Sequence, residues 1–153
     1  MGQTDADRFA ASYSAHFRQQ DQNPCAFFPG VLKTLKDLHA SGYILAVATG
    51  KSRAGLDRVL AATGLVGFFD GSRCADETLS KPHPLMLEEL LRQFDVKAND
   101  AIMVGDTEFD LAMAEAAKIP AIGVSYGAHE LGRLLKYKPI ACLDAFSDIK
   151  LYI

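Results

Sequence analysis

Three short apolar runs, Tyr43-Ile44-Leu45-Ala46-Val47-Ala48, Ala101-Ile102-Met103-Val104 and Ala121-Ile122-Gly123-Val124, constrain this chain more than any other feature. Each has the length of a strand, and none alternates with polar residues. That pattern suits strands covered on both faces. Between the runs the apolar spacing changes to that of helices: Val31, Leu35 and Leu38; Leu56, Val59 and Leu60; Leu87, Leu90, Leu91 and Phe94; Phe109, Ala112, Met113 and Ala116. Gly42 and Gly64 end the first two helices. A weaker strand is expected near Phe69 to Ala75, and a short one at Ile140-Ala141-Cys142-Leu143. Strands alternating with helices imply right-handed crossovers and a mainly parallel sheet, an α/β fold of three layers. Such sheets bind ligands beyond the carboxyl ends of their strands.

The first residues read differently. A helix is expected after Thr4, with Asp7 completing a capping box and Phe9, Tyr13 and Phe17 on one face. The polar stretch from Gln19 to Pro24 ends in a break signal. It divides a leading helical element, residues 1–28, from a main α/β unit, residues 29–153.

Composition narrows the function classes. With 49% hydrophobic and 23% charged residues, 153 residues suffice for one domain with its own core. A net charge of -3 gives no basic footprint for nucleic acid. No apolar run approaches membrane-spanning length, and the polar start does not read as a secretory signal. Cys25, Cys74 and Cys142 are odd in number and far apart, which suits a reduced, cytoplasmic protein.

The carboxyl ends of the strands carry the chemistry. After the first run comes Thr49-Gly50-Lys51-Ser52. A hydroxyl and a glycine N–H at a helix start can hold a phosphate oxygen. Thr49 can equally be a simple helix cap. A nucleotide-binding loop is excluded, because it needs a glycine where Leu45 stands inside the strand. After the second run comes Gly105-Asp106-Thr107-Glu108-Phe109-Asp110. Asp106 and Asp110, four apart, can meet around the first helical turn and offer oxygen ligands to Mg²⁺. Thr107 and Asp110 also form a capping box, so metal site and cap remain alternatives. Between the two sites lies Ser80-Lys81-Pro82-His83-Pro84, in which Lys81 is a positive charge on a stiff loop.

In this order, Val47-Ala48-Thr49-Gly50-Lys51-Ser52, Ser80-Lys81-Pro82-His83-Pro84 and Val104-Gly105-Asp106-Thr107 resemble the last three of four signature motifs of the haloacid dehalogenase superfamily, in its phosphoglycolate phosphatase-like branch. The likeness runs from about Pro29 to Leu143, and Asp70-Gly71 fits it too. The resemblance implies a Rossmann-like parallel sheet and a Mg²⁺-dependent phosphatase acting through an aspartyl-phosphate on a small phosphorylated metabolite. It implies that Thr49 and Gly50 hold phosphoryl oxygens and that Lys81 neutralises nucleophile and phosphate. Asp106 would bind Mg²⁺, and Asp110 would support the metal or orient Lys81. The family's first motif, a strand ending in Asp-x-Asp-Gly-Thr, has no match. The only Asp-x-Asp is Asp5-Ala6-Asp7, followed by Arg8 and Phe9. Residues 1–28 would then be a remnant of a helical cap, and the core would lack its first, central strand. That leaves two unpaired apolar strand edges, an invitation to self-association. It also leaves the chain inactive alone. A non-catalytic binding or assembly module on the same scaffold is the alternative. A signalling receiver domain is weaker, because no acid pair follows a first strand. An in-frame Asp-x-Asp-Gly-Thr upstream of Met1 would separate the first two.

Overall fold

The computed structural model describes residues 9–12 and 27–153. The strands are β1 (Phe9–Ser12), β2 (Ile44–Thr49), β3 (Gly71–Cys74), β4 (Ile102–Gly105), β5 (Ala121–Val124) and β6 (Ala141–Leu143). The α-helices are α1 (Val31–Ala40), α2 (Arg53–Thr63), α3 (Leu85–Phe94), α4 (Glu108–Ala116) and α5 (Leu131–Leu135). All pairings are parallel, and the sheet order is β3-β2-β1-β4-β5-β6.

Alternate residues of β2 explain why its run is apolar throughout. Ala46 and Ala48 face one core with Met103, Met86, Leu87 and Leu90, while Leu45 faces another with Val31, Leu35, Leu38, Ile102 and Ile122. Helices therefore cover both faces, as a doubly buried strand requires. The small β2 side chains on the first face leave room for α3 and α4 to pack close. Each helix stops for a local reason. Gly64 ends α2 at φ 72°, a left-handed conformation that glycine takes without steric cost. Ser52, not Thr49, caps the start of α2, its Oγ accepting the Gly55 N–H at 3.1 Å.

The leading segment departs from its sequence pattern. A helix was expected through Phe9; Phe9–Ser12 is instead a strand in the middle of the sheet. Ala11 sits opposite Ala46 on one side and Met103 on the other. The expected gap between β2 and β4 is thus filled, and the unpaired edges that implied self-association are paired. A central sheet slot rewards a short segment with ladder hydrogen bonds on both sides, which local helical spacing cannot reveal. Phe27 and Phe28 pack against the core beside α1. The capping box expected at Thr4 and Asp7 lies outside the described residues.

The central position of β1 has a measurable consequence. In native-state hydrogen exchange the amides of Ala10 and Ala11 are expected to exchange in the slowest class, with those of β2 and β4. Exchange at the rate of a solvated helix or coil would remove β1 from the sheet.

Candidate active site at the carboxyl edge of the sheet

Thr49 ends β2 and Gly105 ends β4, and parallel pairing through β1 puts both ends at one edge of the sheet. Thr49 is fully buried, and its Oγ1 accepts the Lys51 N–H at 3.1 Å. Gly50 follows at an exposed bend. The loop after β3 delivers Lys81 to the same edge, where its Nζ meets Asp110 Oδ1 at 2.5 Å.

Asp110 is fully buried and saturated. Its Oδ2 accepts the Asp106 N–H (3.2 Å), the Thr107 N–H (3.1 Å) and the Thr107 hydroxyl (3.0 Å). Thr107 Oγ1 in turn accepts the Asp110 N–H at 3.2 Å, closing the capping box of α4. The sequence left cap and metal site open for Asp110, and the resemblance offered metal support or orientation of Lys81; in the structure one carboxylate oxygen closes the cap and the other contacts Lys81. Asp110 was expected beside Asp106 as a metal group, yet its oxygens are taken up by these contacts.

Asp106 is different. It is 1% exposed. Its Oδ2 accepts the Ala128 N–H at 3.0 Å, and its backbone carbonyl accepts the His129 N–H at 3.1 Å. Its buried Oδ1 has no hydrogen bond among the described residues. Burial, reinforced by the Asp110 carboxylate, pushes the Asp106 carboxyl above its usual range; the Ala128 N–H and the Lys81 ammonium oppose this. A buried, unpaired carboxylate oxygen costs free energy unless a cation or donor meets it. A hard cation taking oxygen ligands fits it. Among the described residues no three His, Cys, Asp or Glu gather as a metal cage.

Sequence reasoning missed the loop after β5. Gly127, Ala128 and His129 reach Asp106 through backbone groups, and His129 Nδ1 accepts the Glu108 N–H at 3.0 Å. Backbone donors leave no signature in a sequence; the nearest signal was a glycine shortly after a buried strand. A pocket lined by Asp37, Tyr43 and Lys150 lies at the opposite, amino edge, near the start of β2.

Gly105 is not among the residues of positive φ, and crowding is what constrains it. A Cβ there would overlap the Asp110 side chain and stand 2.9 Å from its Cγ. Gly105→Val is expected to destabilise by about 1–3 kcal/mol through overpacking. Asp110→Ala is expected to cost about 3–5 kcal/mol, since it leaves a buried ammonium without this carboxylate and three donors without their acceptor. Lys81→Met should cost less, because Asp110 keeps those three donors. Chemical denaturation measures all three; an order with Lys81→Met worst would contradict the geometry.

A family model described as haloacid dehalogenase-like hydrolase matches residues 2–124. "Probable phosphatase IndB" of Dickeya dadantii (strain 3937) is 41% identical over 140 residues, covering 90% of this chain and 61% of the relative. The "Phosphoglycolate phosphatase" of Colwellia psychrerythraea (strain 34H) is 30% identical over 141 residues, covering 90% of this chain and 61% of that protein. Among solved structures, a crystal structure of "a predicted phosphoglycolate phosphatase" from Haemophilus somnus 129PT superposes with a TM-score of 0.78 at 30% identity, over 87% of this chain and 61% of that one. The chain thus spans about 61% of the length of these relatives. With three motifs in order at one edge of a parallel α/β sheet, the chain belongs to the haloacid dehalogenase-like hydrolase family.

Proposed function

We propose that this chain carries the phosphate-holding and Mg²⁺-holding part of a phosphatase site for a small phosphorylated metabolite. The observation that carries this reading is the buried Oδ1 of Asp106, without a partner among the described residues, beside the Lys81–Asp110 pair. Relatives named as phosphatases support it.

In this reading Thr49 and the Gly50 N–H receive phosphoryl oxygens at the end of β2. Lys81, its Nζ fixed by Asp110, lies against the same phosphoryl group. Fixing a flexible lysine before substrate arrives removes the entropy of ordering it at the moment of reaction. Asp106 holds Mg²⁺, which when bound neutralises charge on the phosphoryl oxygens. The protein's task in phosphoryl transfer is largely such positioning and charge stabilisation. The nucleophile is the unfilled role. The only Asp-x-Asp, Asp5-Ala6-Asp7, lies outside the described residues. The 153-residue chain is therefore proposed to bind phosphate and cation without turnover. A non-catalytic binding module on this scaffold is the second reading. The first reading takes the protein as cytoplasmic. No helix among the described residues is long and apolar enough to cross a membrane.

Titration of the isotope-labelled chain with Mg²⁺ and orthovanadate tests the reading. Mg²⁺ is expected to shift the Asp106 amide with weak affinity, and Asp106→Asn to abolish that shift. Vanadate is expected to perturb Thr49, Gly50 and Lys81 together. Turnover of a generic phosphomonoester that is lost in Asp5→Asn or Asp7→Asn would overturn the proposed division of roles.

A further inference from the structure

The loop joining β5 to α5 does more than close a turn. At Gly127 a Cβ would overlap Asp106 Cβ and stand 2.6 Å from Oδ2, so the backbone passes directly against the carboxylate. The next residue, Ala128, donates its N–H to Oδ2 at 3.0 Å. The one after, His129, holds the far side of the same turn. Its N–H bonds the Asp106 carbonyl at 3.1 Å, and its Nδ1 accepts the Glu108 N–H at 3.0 Å. Its ring packs edge-on against Phe109 at 5.6 Å. The following helix is tied to the same turn, because Arg133 bonds both Glu108 carboxylate oxygens, at 3.1 and 2.8 Å. Three consecutive residues thus grip Asp106 at its carboxylate, its carbonyl and the N–H two residues on. Among the described residues, only the buried Oδ1 is left without a hydrogen bond.

From this we infer that Gly127-Ala128-His129 is a backbone clamp that makes Asp106 a one-oxygen ligand and thereby favours Mg²⁺ over Ca²⁺. The inference rests on the proposed cation role of Asp106 and deepens it. Mg²⁺ demands near-ideal octahedral geometry at short range, which a single carboxylate oxygen serves. Ca²⁺ takes more oxygens in looser geometry and gains from bidentate carboxylates. With Oδ2 held by Ala128 N–H, the bidentate mode costs a hydrogen bond. With Gly127 against the side chain, Asp106 has no room to rotate toward it. Gly127 and His129 are positioning residues, acting through Asp106.

The test uses the labelled chain and the two ions separately, following the Asp106 and Ala128 amides. The variants are Gly127→Ala, His129→Leu and His129→Asn, in which an amide oxygen stands where Nδ1 did. Groups that orient a metal ligand typically tune affinity about 10–100-fold. His129→Leu and Gly127→Ala are expected to weaken Mg²⁺ by about that range while Ca²⁺ changes much less, so the preference collapses. His129→Asn should restore most of it. His129→Leu keeps the test informative if Gly127→Ala does not fold. A wild-type ion preference surviving in folded His129→Leu would overturn the clamp. Failure of either ion to move the wild-type amides would overturn the cation site itself. The clamp has its own check without metal: Asp106→Asn must shift the Ala128 amide, and an unmoved Ala128 resonance refutes it.

Discussion

The Asp110 carboxylate is the point on which the site depends. One oxygen fixes Lys81, and the other gathers the Asp106 N–H, the Thr107 N–H and the Thr107 hydroxyl. The first contact brings in a loop 29 residues away in sequence. The second sets the backbone turn from which Asp106 projects. A buried carboxylate is costly unless paired and hydrogen-bonded, and here it is both. Gly105 permits the arrangement, since any side chain there would occupy the space of Asp110. Helix cap, lysine anchor and turn geometry are thus a single packing solution, and disturbing one disturbs the others.

The sheet supplies the other constraint. Parallel order places the ends of β2 and β4 at one edge with β1 between them. The two cores, one on each face, hold these strands through Met103 and Ala46 on one side and Ile102 and Leu45 on the other. Strand ends gripped from both faces are rigid, and that rigidity is what a preorganised anion and cation site needs. The candidate site at the carboxyl edge is then built from short loops.

Most of this architecture was legible because the physics that creates it is local. The Leu45 and Val104 runs read as buried strands, Gly64 as a helix end, and Thr107 with Asp110 as a capping box. What was not legible is nonlocal. Phe9–Ser12 carries helical spacing yet lies in a central strand slot, where partners on both sides outweigh local preference. Spacing could place Asp110 near Asp106, but it could not say that both Asp110 oxygens were already committed. The loop at Gly127 to His129 acts through main-chain N–H groups and an absent Cβ, and neither depends on a recognisable side chain.

The charge of the cluster is the physical basis of the proposed cation role of Asp106. Among the described residues, Lys81 is the ammonium that meets Asp110 beside Asp106, within a buried environment. Lys81 is already paired with Asp110, so Asp106 keeps an uncompensated oxygen and a carboxyl that burial makes harder to ionise. A phosphomonoester brings further negative charge to this edge, and with the carboxylates alone it would be repelled. A divalent cation on Asp106 reverses that balance: it relieves the buried oxygen and turns the same edge attractive to phosphate. In the proposed reading, the buried acceptor of Asp106, without a partner among the described residues, is the feature through which cation and phosphate binding would support one another.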